Sequence, residues 1–319
     1  MHSGTTGSTV QRPGRPGAAA LLLALTVRRP SRSGELLGVL FLLPTVVFLV
    51  VLIAYPVAYN VYLSFQDYNY LFGVSRFVGL QHYVQLLHDP IFWRSLLNNL
   101  VWTLGGVAGQ LLLGLAAALL LDRPGRGITL VRTLLLVPYV VPAIATAITW
   151  RWMFNDFYGV LSFLLAVVGI LPPQTSPFAS VELAMPAAIG VGIWRGFPFT
   201  MIVYWAALQG IPDEEYEAAR VDGAGSWQEF SHITLPHLTH ITLVLLVLRT
   251  LWMFNYFDLL YLLTKGGPAG ATQHLPILVY ITSFGLFRFG EAAAIAGLMA
   301  LTAGLIIVLY VQVHGRQEL

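Results

Sequence analysis

The chain has 319 residues, 57% of them hydrophobic and only 10% charged, with a mean hydropathy of +0.73. A soluble domain carries roughly 25% charged residues, so this balance excludes a water-solvated globule and suits lipid as solvent. A net charge of +2 leaves no footprint for nucleic acid, and the lack of cysteine removes disulfides, thiolate metal sites and thiol nucleophiles together.

Residues 1–35 are rich in Gly, Pro, Ser, Thr and Arg and read as a disordered cytoplasmic tail. Within it Ala18–Val27 is apolar, but its ten residues cannot span a bilayer. Arg12 and Arg15 precede it as they would a signal-peptide core. Arg28 and Arg29 follow, however, and no small-residue cleavage site is evident, so the tail is read as uncleaved. From Leu36 onward six apolar segments reach spanning length: Leu36–Leu63, Leu96–Leu121, Leu130–Trp150, Met185–Leu208, Ile241–Leu263 and Ala292–Val313. They are continuous runs without period-two alternation, which makes them helices and not barrel strands. Pro44, Pro56, Pro142 and Pro198 lie inside spans, where neighbouring groups can satisfy the freed carbonyls. The expected fold is all-α: a polytopic membrane domain over 36–319 with six transmembrane helices.

Arginine bias orients it. With both ends inside, the cytoplasmic segments hold ten basic residues (among them Arg123, Arg126, Arg132, Arg220 and Arg316). The outer segments hold five: Arg76, Arg94, Arg151, Lys265 and Arg288. The asymmetry predicts cytoplasmic amino and carboxyl termini.

That orientation puts the polar loop 209–238 in the cytoplasm. It carries Glu217-Ala218-Ala219, three residues, Gly223, nine residues and Ile233-Thr234-Leu235-Pro236. Read physically, Asp213 is an N-cap with Glu214 and Glu215 in the first turn, where the helix dipole favours acids. The helix runs to about Asp222 and stops at Gly223. Ser226-Trp227-Gln228-Glu229 has capping-box spacing and starts a second short helix that Pro236 would disrupt.

The spacing E-A-A-x3-G-x9-I-x-L-P resembles the cytoplasmic motif of ABC importer permeases. Further segments resemble the carbohydrate branch, including maltose and glycerol-3-phosphate permeases. These are Ile211-Pro212 through Gly225, the turn Leu263-Thr264-Lys265-Gly266-Gly267-Pro268, the first outer loop Phe77–Tyr83 (with His82 where that branch has asparagine), and Pro138-Tyr139-Val140-Val141-Pro142 running on to Trp150–Asn155. The resemblance covers the chain from about Leu36. It implies a type I importer transmembrane domain in a bacterial or archaeal inner membrane, paired with a second related permease, an ABC ATPase dimer and an extracytoplasmic solute-binding protein. Glu217, Ala218, Ala219, Asp222, Gly223, Ile233, Leu235 and Pro236 would then grip the ATPase, and Lys265, Gly266, Gly267 and Pro268 would face the binding protein. The only lysine, Lys265, sits in Thr-Lys-Gly-Gly and cannot serve a phosphate-binding loop, so ATP and magnesium belong to the ATPase and this chain carries no cofactor and does no chemistry.

Arg195 and Arg249 lie mid-span, where an unpaired charge costs at least a few kcal/mol. Each reads equally well as a structural cation or as a donor lining a wet cavity. Arg249, Met253 and Tyr256 share a helical stripe at i, i+4 and i+7. Trp194, Gly196, Pro198 and Phe199 resemble the Trp-x-Gly-x-Pro-aromatic pattern that lines the sugar path in maltose-type permeases. Met253 stands where those proteins carry a polar residue, and the two arginines keep open an acidic or phosphorylated solute such as glycerol-3-phosphate or a glycerophosphodiester. His232, His237 and His240 lack a further ligand and read as solvated loop histidines. An ATP-independent secondary transporter would need ion-coupling acids inside the membrane, and Asp258 is the only clear candidate.

Overall fold

The computed structural model describes residues 32–69, 73–122 and 125–314. Of the tail read over 1–35, residues 1–31 lie outside this range, as do Arg123 and Arg316. The chain forms two compact units that divide after Tyr59.

In the first unit, α1 (Arg32–Leu49) already begins ahead of Leu36 and runs through a π-helical turn (Val50–Ala54) into α2 (Tyr55–Ser64), whose residues from Asn60 on belong to the second unit. Tyr55 and Tyr59 stack along one face of α2 with ring centroids 6.1 Å apart.

Past α2 the second unit holds a short two-stranded ribbon ahead of its remaining helices. β1 (Gln66–Asn69) and β2 (Val74–Phe77) pair antiparallel, Gln66 opposite Phe77. Helix α3 (Gln81–His88) pins this ribbon: His82 Nε2 lies 3.1 Å from the Gln66 carbonyl, and the Tyr83 hydroxyl donates to Ser64 Oγ at 2.8 Å. The second span, α4 (Pro90–Leu121), starts earlier than the hydropathy suggests. Asp89 caps it by accepting from the Ile91 N–H at 2.8 Å, and Pro90 occupies the first turn where a missing N–H costs nothing.

The third span is not the single helix expected over Leu130–Trp150. It is broken into α5 (Ile128–Val140) and α6 (Ala143–Met153), bent by 96°. Val141 is extended (φ −64°, ψ 130°), the conformation a following proline imposes, and Pro142 caps the second half. A short apolar helix α7 (Val160–Val167) leads to the fourth span, α8 (Ala184–Leu208), close to its expected limits.

Helices α9 (Asp213–Val221) and α10 (Ser226–Glu229) form the polar loop. Beyond them a π-turn (Phe230–Thr234) passes straight into α11 (Leu235–Phe254), the fifth span. Pro236 therefore does not disrupt the second loop helix: it sits in the first turn of α11, and Ser226–Phe254 is one helix of 29 residues. The fifth span also ends before Leu263. Asn255 leaves the helix and its side-chain amide donates to the Leu251 carbonyl at 2.9 Å, and a separate helix α12 (Asp258–Thr264) follows. Helix α13 (Leu275–Tyr280) and the last span, α14 (Phe289–His314), complete the unit.

The most extensive helix pair is α4 against α8, with α11 packed on both. Trp102, Tyr204, Leu245 and Met253 are fully buried where they meet. Polar groups join the same helices: Trp102 Nε1 donates to the Met253 carbonyl at 3.1 Å, and Thr200 Oγ1 to the Gln110 carbonyl at 2.6 Å. Without water to compete, such bonds hold membrane helices in register.

Candidate functional site

Three regions hold the residues singled out in the sequence: a cavity among the spans, the polar loop at the end of α8 and the Lys265–Pro268 turn after α12.

The cavity has a volume of about 640 Å³. Gln110 of α4, Tyr139 of α5, Arg195 and Gly196 of α8, and Arg249, Trp252 and Met253 of α11 line it, with Asn255 and Tyr256 just beyond. Arg249 is 6% exposed. Its partner is not an acid but the side-chain amide of Gln110, whose Oε1 accepts from Nε at 2.7 Å and also from Nη2. The amide's own N–H groups go to the Gly192 carbonyl at 3.0 Å and to Met253 Sδ at 3.4 Å, so Gln110 ties α4 to both α8 and α11. The guanidinium lies 5.4 Å above Trp252 and 5.7 Å above Phe199. Gly196 makes room for this pair, because a Cβ there would strike the Arg249 guanidinium and the Gln110 amide.

Arg195 uses the break in the third span. The Val141 carbonyl belongs to neither α5 nor α6, and Arg195 Nη2 donates to it at 3.1 Å. The same guanidinium lies 5.9 Å from the Tyr256 ring. Arg195 Nε and the Tyr256 hydroxyl are buried without a protein partner.

Of the seven residues expected on the path, Arg195, Gly196, Arg249, Met253 and Tyr256 line the cavity, although Tyr256 lies past the end of α11 and not on its stripe. Trp194 is packed edge-on against Trp150, with centroids 5.4 Å apart. Phe199 stands behind the lining, against Trp252 at 5.3 Å and Tyr139 at 5.9 Å. Gln110, Tyr139, Trp252 and Asn255 escaped sequence reasoning. Only Gln110, an amide deep in an apolar run, left a signal there.

The polar loop is a helix–turn–helix. The N-cap of α9 is Pro212, not Asp213, which is the first helical residue. The helix ends in a Schellman motif: Ala224 N–H donates to the Ala219 carbonyl and Gly223 N–H to that of Arg220, with Gly223 at φ +82°. Likewise α10 is capped at Gly225, whose N–H donates to Gln228 Oε1 at 2.8 Å, leaving Ser226 as its first helical residue. Arg220 pairs with Glu229 at 2.9 Å, Tyr216 bonds Thr234 at 2.9 Å, and Glu215 lies 3.4 Å from His237. Glu217, Ala218, Asp222 and Gly223 are exposed, Ala219 and Ile233 half-buried, and Leu235 and Pro236 exposed. Val221 and Trp227, which the sequence did not single out, are 88% and 75% exposed. The loop is tied to the rest of the domain where Gln209 donates to Asp122; Arg132 of α5 stacks 4.0 Å over Trp205 of α8 and donates to the Leu121 carbonyl of α4.

Comparison with known proteins decides the family. Residues 110–317 match the model of the binding-protein-dependent transport system inner membrane component. The chain belongs to that family. It is a permease.

The permease is 38% identical to a probable ABC transporter permease of Pyrococcus horikoshii over 85% of this chain and 93% of that one. It is 33% identical to the trehalose/maltose transport system permease MalF of Thermococcus litoralis over 85% and 91%, and 34% identical to the sulfoquinovosyl glycerol permease SmoG of Agrobacterium fabrum over 88% and 90%. A bacterial ABC transporter involved in the import of the acidic polysaccharide alginate shares its fold, with a TM-score of 0.76 at 24% identity over 88% of the permease and 96% of that chain.

The Lys265–Pro268 turn follows α12 directly. Lys265 and Gly266 both have positive φ, at 53° and 86°, and Gly267–Pro268 is a cis peptide. The Thr272 hydroxyl clamps the turn, 2.6 Å from Thr264 Oγ1 and 2.8 Å from the Gly267 carbonyl. Lys265 is exposed at the edge of a second, polar cavity of about 330 Å³ that Arg151 and Asp156 share.

Proposed function

We propose that this permease carries a sugar or oligosaccharide through the membrane for an ATP-driven importer, with both its termini in the cytoplasm. The continuous helix Ser226–Phe254 carries the reading. At 1.5 Å per residue it is a rod of roughly 43 Å, with the loop motif at one end and Arg249, Trp252 and Met253 in the cavity wall at the other. A displacement of α10 reaches the cavity along one helix, and α9 is tied to that helix by the Arg220–Glu229 and Tyr216–Thr234 contacts.

In this reading a separate ABC ATPase dimer, which binds ATP and magnesium, seats α9 in a cleft. Ala218, Ala219 and Gly223 allow close approach, and exposed Val221 and Trp227 add apolar contact. Glu217 has no ion-pair partner among the described residues, so its carboxylate is available to a basic group of the ATPase, where desolvation strengthens the pair. Asp222 closes α9, while Ile233, Leu235 and Pro236 join the loop to the rod. A second permease completes the pathway, and a loaded solute-binding protein docks on the outer face at Lys265–Pro268. The permease supplies the path and the lever, with no catalytic residue of its own. The names of similar proteins, which include trehalose/maltose and sulfoquinovosyl glycerol permeases, support a carbohydrate cargo.

Co-purification of the tagged permease from its native membrane tests the assembly. Recovery of an ATPase and a second permease is expected; a chain that purifies alone and transports without ATP overturns the reading. Glu217→Lys is expected to leave membrane insertion intact and abolish ATP-driven uptake.

A further inference from the structure

The cavity has an electrostatic character that a neutral sugar does not need. Among its lining residues are two guanidinium groups and no carboxylate. No ion pair among the described residues includes Arg195 or Arg249, and Asp258, the first residue of α12, is outside the lining. Placing a buried Arg249 and a half-buried Arg195 in the wall of one cavity, each held only by neutral acceptors, is costly in a membrane domain. Gln110 meets Arg249 through one amide oxygen, and Val141 meets Arg195 through one carbonyl, so most of the ten N–H donors of the two groups stay unused. One of these, Arg195 Nε–H, and one further donor, the Tyr256 hydroxyl, are buried without a partner.

We infer that the cargo is an anionic carbohydrate, its carboxylate, sulfonate or phosphate group held by Arg195 and Arg249 while Trp252 and Tyr256 face the sugar ring. This rests on the carbohydrate reading above. A planar fork of donors matches an oxyanion in a way that hydroxyls do not require, and an anion supplies the missing counter-charge. The volume of about 640 Å³ falls within the ~300–1,000 Å³ common to small-molecule sites.

The test is thermal stabilisation of the importer complex, purified from its native membrane, by three probes over a range of sodium chloride: cellobiose, the matching disaccharide uronate cellobiouronic acid, and glycerol 3-phosphate. Cellobiouronate is expected to act at lower concentration than cellobiose, with an advantage that shrinks as salt rises. Arg195→Gln is expected to raise its half-effect concentration by about 10- to 100-fold, the value of a hydrogen bond to a charged group, and Arg195→Lys to restore part of it. Asn255→Asp, which leaves both arginines in place, is expected to abolish the preference by supplying the counter-charge. Equal action of cellobiose and cellobiouronate, unmoved by Arg195→Gln and Asn255→Asp, overturns the anionic inference and leaves the carbohydrate reading standing. Action by glycerol 3-phosphate alone overturns the carbohydrate reading and leaves the anion site standing. Action by none of the three overturns both.

Discussion

Gln110 shows how much one neutral side chain can settle. Its amide accepts from Arg249 and donates to α8 and to Met253, so three helices meet on one side chain. Replacing it by leucine removes the only side-chain acceptor bonded to Arg249 among the described residues, and leaves Arg249 buried by the same packing. Gln110→Leu is expected to destabilise the permease by about 1.5–3 kcal/mol, seen as a lowered midpoint of thermal unfolding in detergent. Gly196→Ala acts on the same pair from α8. Its Cβ displaces the guanidinium or the amide, and overpacking of this kind costs about 1–3 kcal/mol. Half-saturation of transport should rise in that variant, while assembly with the ATPase is retained.

At the scale of elements, stiffness is the property that matters. Gly223 at φ +82° terminates α9, and any residue with a Cβ pays about 1–2 kcal/mol to hold that conformation. Gly223→Val is therefore expected to fray α9 and weaken retention of the ATPase in pull-downs without altering membrane insertion. The rod can be tested directly. Changing Ile233 and Thr234 together to glycine softens the π-turn, at about 1 kcal/mol per position, and removes the Tyr216–Thr234 bond. The double variant should hydrolyse ATP in complex with its ATPase yet lose most uptake, and unchanged uptake would remove the lever from the mechanism. The break at Val141–Pro142 is the opposite device, a bend of 96° that one side chain, Arg195, stabilises from a neighbouring helix.

For the molecule as a whole, pH reports on burial. His274 is fully buried beside Trp102, and burial pushes its imidazole down to about 4. Its Nε2 lies 3.2 Å from the Tyr256 carbonyl, which places the proton there, and Nδ1 has no partner that a second proton could use. The folded state therefore binds fewer protons than the unfolded one below the ordinary histidine value of 6.5. Stability is full above that value and falls steadily as pH drops from about 6.5 towards 4. Thermal midpoints should decline between pH 7 and pH 5, and His274→Gln should flatten the decline even if it lowers the midpoint at pH 7.

The spans, the loop and its motif were legible in the sequence because each rests on local chemistry. An apolar run of twenty or more residues has one solution in lipid, a glycine after an acidic helix has one ready conformation, and E-A-A-x3-G-x9-I-x-L-P is a pattern of neighbours. Boundaries governed by a cap or by proline stereochemistry were less so: Asp89-Pro90 moved α4 outward, and Pro142 broke a span that hydropathy alone runs straight through. Pro236 failed as a predicted break because the π-turn Phe230–Thr234 ahead of it carries the helix past the missing N–H. What only the tertiary structure decided is which atoms meet across helices. Nothing in the order of residues says that Arg249 turns to Gln110, 139 positions away, or that Arg195 fills the carbonyl exposed by a break 54 positions before it. Those contacts depend on the packing of α4, α8 and α11, where polar groups cut off from water must find each other, and they turn two mid-span charges into the wall of one cavity.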